Sequence, residues 1–179
     1  MKDFVYKTEP YDHQRKAFEA SVGINSYALL MDMGTGKTKV ALDTIASCFE
    51  SKRINFALIV APKGVIANWV GEISAHLPDR VEREVVLWKP NLTKERRKEL
   101  NDLYTETGKL KFLLMNIEAF SSKKGVSVAE LFVKKFRVLM TVDESTTIKN
   151  RRAKRTKAVC TVGRDAVMRR ILTGSPVTK

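Results

Sequence analysis

The stretch MDMGTGKT at residues 31–38 decides how the rest of the chain is interpreted. It follows a short apolar run, YALLM at 27–31, and leads into KTKVALDTIASCFE at 37–50, whose apolar residues recur at helical spacing. A strand that enters a glycine turn and then a helix directs several backbone N–H groups, and the positive end of the helix dipole, at one point. Such an arrangement binds a chain of phosphates. The predicted phosphate-binding residues are Gly34, Thr35, Gly36, Lys37 and Thr38.

The residues of this loop have distinct expected roles. Glycine is needed where the backbone takes a positive φ or comes close to a ligand. Lys37 would reach the β- and γ-phosphates, and the Thr38 hydroxyl would bind Mg²⁺. Met31, however, stands where the usual pattern G-x-x-x-x-G-K-[ST] has its first glycine. An ordinary strand–turn–helix junction with an incidental lysine is the alternative interpretation.

Short apolar runs alternate with helix-length segments along the rest of the chain. Strands are predicted at 27–31, 56–60, 85–88, 112–117, 138–142 and 170–173. Helices are predicted at 37–50, 65–76, 93–104 (with Thr93 as its cap) and 128–135. Strands separated by helices pair in parallel through crossovers. We therefore expect one α/β domain over residues 1–179, with three layers: a mostly parallel sheet and helices on both faces.

An acidic pair, Asp143-Glu144, directly follows the apolar run VLMTV at 138–142. In a parallel sheet, ligands bind beyond the carboxyl ends of the strands, where this pair and the glycine loop both fall. Asp143 would hold the Mg²⁺ ion, and Glu144 would orient or deprotonate the water that attacks the phosphate. A solvated loop is the alternative for an acidic pair considered alone.

The charge balance indicates a polyanionic partner. The chain carries 33 basic and 20 acidic residues, for a net charge of +13. The basic residues are clustered, most densely at 149–157, where six basic residues occur with no acidic one. Clustered lysine and arginine release counterions from a phosphate backbone, so nucleic acid is the favoured partner. The alternative interpretation is that the charge only keeps the protein soluble.

Other features indicate a protein of the cytoplasm, or of the host cytoplasm if its source is a virus. No window approaches eighteen consecutive apolar residues, and the first ten residues lack the apolar core of a signal peptide. Cys48 and Cys160 lie far apart and have no metal-ligand spacing. We expect both to be free and buried.

The phosphate loop and the acidic pair together resemble the Swi/Snf-type ATPases of helicase superfamily 2. In that superfamily the first glycine of the loop is commonly replaced. The Swi/Snf branch favours an acidic residue before Met-Gly-x-Gly-Lys-Thr, which Asp32–Thr38 matches. The resemblance implies a RecA-like P-loop NTPase domain. In such a domain of this branch, a residue other than glycine at the position of Met31 is expected.

The resemblance extends to segments before the acidic pair. Pro10-Tyr-Asp-His-Gln14 is similar to the adenine-recognition motif, whose glutamine amide pairs with the adenine edge, so that role passes to Gln14. A surface glutamine on an amphipathic helix is the alternative. The segment LIVAPK at 58–63 is similar to motif Ia, which implies nucleic-acid contacts for Pro62 and Lys63, whereas Trp69 is expected to pack in the core. Asn116, at the position of motif Ib, is a further expected contact.

The resemblance also covers the segments after the acidic pair. Ser145-Thr146 departs from the commoner Ala/Gly-His, which puts the coupling role of the histidine in doubt but leaves the acidic pair intact. Lys149-Asn150 matches the branch. The expected nucleic-acid contacts here are Lys149, Arg151 and Arg152. The alternative interpretation is that this basic stretch forms a solvated helix face packed near a second domain. Motif III implies a coupling role for Thr173, Gly174 and Ser175.

The resemblance implies an ATP- and Mg²⁺-dependent helicase or translocase acting on DNA, with double-stranded DNA as the expected form. Only motifs of the first RecA-like domain occur, so we expect the second RecA-like domain to lie outside these residues and the chain alone to hydrolyse ATP weakly or not at all. The short segment before Gln14 favours a prokaryotic or viral member. A nucleotide-dependent binding module without motor activity is the alternative. A small P-loop kinase would lack these motifs in this order.

Overall fold

A computed structural model describes residues 4–91, 93–148 and 150–174 of the chain. The strands in this part are β1 Ser26–Leu30, β2 Phe56–Ala61, β3 Arg83–Leu87, β4 Leu110–Asn116, β5 Val138–Val142 and β6 Met168–Thr173. The α-helices are α1 Asp12–Val22, α2 Lys37–Glu50, α3 Lys63–Ile66, α4 Asn68–His76, α5 Lys94–Tyr104, α6 Lys123–Lys135 and α7 Lys154–Asp165. Short 3-10 helices cover Ile117–Ser121 and Ser145–Ile148. None of the helices described is long and apolar enough to cross a membrane.

The described strands form one six-stranded sheet in the order β1-β6-β5-β2-β4-β3, and every neighbouring pair is parallel. The predicted α/β fold with a parallel sheet is confirmed. Each predicted strand is present, and β5 has the predicted bounds, while the others differ by one or two residues at their ends. The chain crosses over β6 and β5 when it passes from β1 to β2, so distant segments become neighbours.

Helices cover both faces of the sheet because successive strand residues point to opposite sides. On β2, Ala57, Ile59 and Ala61 belong to one buried cluster, with apolar residues of α1, α2 and α4. The intervening residues Phe56 and Leu58 belong to a second cluster, with residues of α5, α6 and α7. All of β2 is buried. The predicted three-layer arrangement is therefore confirmed.

Some helix predictions need correction. The helix predicted at 65–76 is two helices, because the chain tightens at Ala67, whose carbonyl accepts from Val70 N at 3.3 Å, an i,i+3 bond. The helix predicted from residue 128 begins at Lys123, where the Ser122 side chain accepts from Gly125 N at 3.1 Å and caps it. The predicted cap of α5 is confirmed, since the Thr93 hydroxyl accepts from Arg96 N.

Both cysteines are free, but only Cys48 is buried. Cys160 lies on an exposed face of α7, so the prediction that it is buried is wrong. The buried residues of α7 are Thr156, Val159, Val162 and Gly163, and Cys160 is not among them.

An ion pair is buried within α2. Lys39 Nζ donates to Asp43 Oδ2 at 2.7 Å, and the two side chains are 6% and 1% exposed. The Tyr6 ring lies 5.1 Å from the Lys39 ammonium. Burial raises the pKa of the Asp43 carboxyl from 3.8 to about 6, although the bond from Lys39 acts in the opposite direction.

Candidate functional site

The segments predicted to carry chemistry meet at one edge of the sheet. Because all neighbouring strands are parallel, their carboxyl ends lie together. Along this edge the order is the glycine loop after β1, Thr173-Gly174 at the end of β6, Asp143-Glu144 after β5, Pro62-Lys63 after β2, and Asn116 at the end of β4. Segments from opposite ends of the chain, such as Leu30 and Thr173, thus become neighbours.

The glycine loop has the backbone expected of a phosphate site. Gly34 has φ 78° and Gly36 has φ 83°, and Gly36 is the residue that precedes the first turn of α2. Lys37 is nearly buried, and its ammonium donates to the carbonyls of Met31 and Asp32, each at 2.9 Å. These two bonds hold the lysine along the inside of the loop. Since an ammonium group has three donors, one remains for a ligand.

Gln14 fastens helix α1 to this loop. Its Oε1 accepts from Tyr11 N at 3.1 Å, and its Nε2 donates to the Thr35 carbonyl at 3.0 Å. His13 Nε2 lies 2.9 Å from the same oxygen. The alternative of a surface glutamine is wrong in one respect: the residue is on a helix, but it is buried. One N–H and one lone pair of its amide are left for further bonds.

The Asp143 carboxylate is held by one donor on each oxygen. Trp69, on α4, donates from its indole Nε1 to Oδ2 at 3.0 Å, and Glu144 N donates to Oδ1 at 2.9 Å. Asp143 N in turn donates to the carbonyl of Val60 at 2.8 Å, which joins the acidic pair to the end of β2. Glu144 has φ 46°, a left-handed conformation that is uncommon for a residue with a side chain and that turns the chain sharply after β5.

The donor set suits Mg²⁺ bound together with phosphates. Among the described residues, no group of three or more histidine, cysteine or acidic side chains could hold a metal ion by itself. Mg²⁺ is usually bound through one or two carboxylates and the phosphates of a substrate, with water completing the octahedron. Asp143 and the Thr38 hydroxyl would supply oxygen ligands of that kind. Each Asp143 oxygen keeps a lone pair beyond the bond that it accepts.

The end of β6 contacts the glycine loop. Thr173 is paired with Leu30 of β1 in the sheet register. A β-carbon built on Gly174 would come 3.0 Å from Met33 Cγ and 3.6 Å from Lys37 Nζ. The predicted coupling residues Thr173 and Gly174 are therefore adjacent to the glycine loop. Ser175, the third of them, lies outside the described residues.

Three of the predicted nucleic-acid contacts, Pro62, Lys63 and Asn116, lie at the carboxyl ends of β2 and β4. Lys63 is exposed and begins α3, directly after Pro62. Asn116 Oδ1 accepts from Ala119 N at 2.9 Å and so caps a 3-10 helix. Arg151 and Arg152 are exposed in the turn before α7, while Lys149 lies outside the described residues. Their roles toward nucleic acid stay predictions.

A cavity of about 400 Å³ lies at the opposite edge of the sheet, near the amino ends of β2, β4 and β5. Its lining includes Lys111, whose ammonium donates to the Leu103 carbonyl at 2.8 Å and lies 3.6 Å from Glu84 Oε2. These protein groups satisfy its charge. The cavity therefore does not compete with the loop edge as a candidate site.

The family model of the SNF2-related domain matches residues 14–179. The chain belongs to this family. The resemblance predicted from the motifs is confirmed, and the match begins at Gln14, the buried residue that fastens α1 to the loop. The expectation of a prokaryotic or viral source stays a prediction.

Two plant proteins are similar in sequence. The chain is 32% identical over 148 residues to "Probable ATP-dependent DNA helicase CHR12" and 31% identical over 155 residues to "Probable ATP-dependent DNA helicase CHR23", both of Arabidopsis thaliana. Each match covers 82% of this chain, but only 12% and 13% of the respective relative. The chain therefore spans about an eighth of the length of these relatives.

Solved structures of two other organisms share the fold. The Sulfolobus solfataricus SWI2/SNF2 ATPase core, in complex with dsDNA, matches 98% of this chain with a TM-score of 0.71 at 20% identity, and the match covers 34% of that chain. The UvsW helicase from bacteriophage T4 matches 97% with a TM-score of 0.65 at 14% identity, over 57% of its own length. The described sheet and helices thus have the architecture of a SWI2/SNF2 ATPase core, as the predicted RecA-like fold requires.

Proposed function

We propose that this domain is the ATP-binding half of a DNA-dependent motor that couples ATP hydrolysis to movement along DNA. The observation that carries the proposal is the position of three features at the same edge of the sheet: the loop of Gly34 and Gly36, the Lys37 ammonium inside it, and the Asp143-Glu144 pair after β5. The family membership and the helicase names of the relatives support it.

In this proposal the loop binds the phosphates of ATP. The first N–H groups of α2 have no partner within the helix and point toward the loop, where they would donate to phosphate oxygens. Lys37 adds a charge-assisted bond to the β- and γ-phosphates. Gln14 would offer the adenine edge its remaining donor and acceptor while it keeps its bond to Thr35.

Hydrolysis would depend on the acidic pair. Asp143 and Thr38 would hold Mg²⁺, which when bound neutralises the charge that develops on the phosphates. Glu144 would accept a proton from the attacking water, or orient that water. The left-handed backbone of Glu144 directs the chain away from β5 immediately after Asp143. The Asp143 and Glu144 carboxylates therefore occupy different positions although the residues are adjacent in sequence. Thr173, Gly174 and Ser175 would couple this site to DNA.

The proposed nucleic-acid contacts are Pro62, Lys63, Asn116, Lys149, Arg151 and Arg152. The net charge of +13 supports a polyanionic partner. Double-stranded DNA is the proposed form, since the Sulfolobus solfataricus neighbour is a complex with dsDNA. We propose that a second RecA-like domain, outside these residues, closes the nucleotide site with an arginine. Such an arginine typically accelerates hydrolysis about 10³- to 10⁵-fold, so these 179 residues alone should hydrolyse ATP weakly or not at all.

Calorimetric titration of ATP in the presence of Mg²⁺ tests the nucleotide site. Lys37→Ala removes a charged donor and should weaken ATP binding about 10- to 100-fold, the equivalent of one hydrogen bond to a charged group. Lys63→Ala is the matched control, because it removes an exposed lysine of the same edge that the proposal places on DNA. Equal ATP affinity of the wild type and Lys37→Ala would refute the site.

A further inference from the structure

We infer that Trp69 is a positioning residue for the metal site: its indole N–H fixes the Asp143 carboxylate in the orientation that receives Mg²⁺ with the nucleotide. The inference rests on the proposed function, and it assigns a task to a residue for which sequence alone predicts only packing. The bond joins two segments that are 74 positions apart, one on α4 and one after β5.

The surroundings of this bond make it firm. Trp69 is 1% exposed and Asp143 is 6% exposed, so little water competes for either group. The bond length of 3.0 Å is ordinary for N–H···O, and its acceptor is a carboxylate, which strengthens it. With the Glu144 N–H on the other oxygen, both C–O bonds of the carboxylate are held and the group cannot rotate freely.

Packing alone does not require the bond. Trp88, the second tryptophan of the chain, is also buried, at 4% exposure, and its Nε1 has no hydrogen-bond partner among the described residues. The fold therefore accommodates a buried indole whose N–H is unpaired. At Trp69 the N–H is directed at the carboxylate that is expected to bind the metal ion.

A fixed carboxylate favours Mg²⁺ for a geometric reason. Mg²⁺ requires a nearly ideal octahedron, so a ligand that is already oriented loses less conformational freedom on binding. Groups that hydrogen-bond to a metal ligand typically change metal affinity or activity 10- to 100-fold when they are removed. Trp69 also lies six residues after Lys63, so the same short stretch of chain contains a proposed DNA contact and the donor to Asp143.

The test compares wild type with Trp69→Phe, which keeps an aromatic ring and removes the N–H. Trp88→Phe is the matched control, since it makes the same change at a buried indole that has no partner among the described residues. Incorporation of benzothienylalanine at position 69 replaces only the N–H, by sulfur, and preserves the shape if Trp69→Phe folds poorly. Calorimetry measures the ATP affinity of each protein over a series of Mg²⁺ concentrations and in EDTA.

In the wild type, Mg²⁺ should increase the affinity for ATP. We expect both position-69 variants to need about tenfold more Mg²⁺, or higher, to reach half of that increase. Trp88→Phe should need the same Mg²⁺ concentration as the wild type. The affinity of the position-69 variants for ATP in EDTA should match that of the wild type. An unchanged Mg²⁺ dependence in the position-69 variants would overturn the inference and leave the proposed function standing. An equal loss at position 88 would overturn it too, because the effect would then be general loosening. A wild type that binds no ATP would refute the proposed function itself.

Discussion

The side-chain amide of Gln14 occupies the space beside Gly36 that any larger residue would need. A β-carbon built on Gly36 would lie 2.3 Å from Gln14 Nε2, well inside contact distance. Gly36 also has φ 83°, where a side chain is strained in any case. Gln14 on α1 and the glycine loop are thus fitted to each other, and each constrains the residue that the other can have.

Gly36→Ala should disable the loop. The left-handed backbone alone costs about 1–2 kcal/mol for alanine, and the contact with Gln14 adds to this. We expect a lower free energy of unfolding and a loss of ATP affinity, measured by chemical denaturation and calorimetry. Gly71→Ala is the control: Gly71 lies in α4, and its added β-carbon would meet nothing within 4 Å. That variant should be as stable as the wild type or more so. Normal ATP binding by Gly36→Ala would contradict the geometry.

Gln14→Ala distinguishes base recognition from support of the loop. If the amide contacts adenine, the variant should lose the preference for ATP over GTP, because the donor and acceptor that distinguish the two bases are gone. Competition binding with both nucleotides measures that ratio. An affinity that falls equally for ATP and GTP would mean that Gln14 acts only through its bond to Thr35.

Charge reversal tests the basic turn before α7. Arg151→Glu with Arg152→Glu should weaken DNA binding and reduce the slope of log affinity against log salt by about one for each phosphate that these arginines neutralise. The control is Arg97→Glu with Lys98→Glu, on an exposed face of α5, which changes the net charge by the same amount. Equal DNA affinity of the two double variants at several salt concentrations would show that the turn does not contact DNA.

The buried Asp43 should give the free energy of unfolding a recognisable pH dependence. Because burial raises the pKa of Asp43 to about 6, the folded protein binds this proton more tightly than the unfolded chain does. The resulting stabilisation is present at low pH and is lost as the pH rises through 6. Relative to Asp43→Asn, the wild type should therefore lose about 1 kcal/mol between pH 5 and pH 7.

Denaturation of both proteins at each pH provides that difference. Burial lowers the pKa of His76, but this group is common to both proteins and its effect cancels. A difference in the free energy of unfolding that stays constant between pH 5 and pH 7 would show that Asp43 does not titrate in this range.

Periodicity predicted the sheet well because its strands are short apolar runs bounded by polar residues. VLMTV of β5 is buried at every position, and its observed bounds are the predicted ones. The chemistry at the strand ends was predictable for a topological reason: once neighbouring strands are parallel, their carboxyl ends must share an edge. The split of α3 from α4 was not predictable, because Ala67 keeps a helical backbone and differs only in its hydrogen bonds.

The bonds between distant segments were also beyond the sequence. Nothing in the spacing of Trp69 and Asp143 indicates that an indole N–H reaches the carboxylate, since the contact depends on how α4 packs on the sheet. The same holds for Gln14, whose expected role was recognisable from its motif but whose bond to Thr35 required the position of α1 relative to the loop. Such contacts are set by tertiary packing, which local patterns do not encode.

The two tryptophans can serve as a fluorescent probe of the candidate site and as its internal reference. Trp69 donates to the carboxylate after β5, while Trp88 packs in the cluster on the other face of the sheet. The emission of an excited indole shifts with nearby charge and with the state of its N–H. A cation that arrives at Asp143 should therefore alter the fluorescence of Trp69 and leave that of Trp88 constant, so the unlabelled protein would report on the proposed metal site.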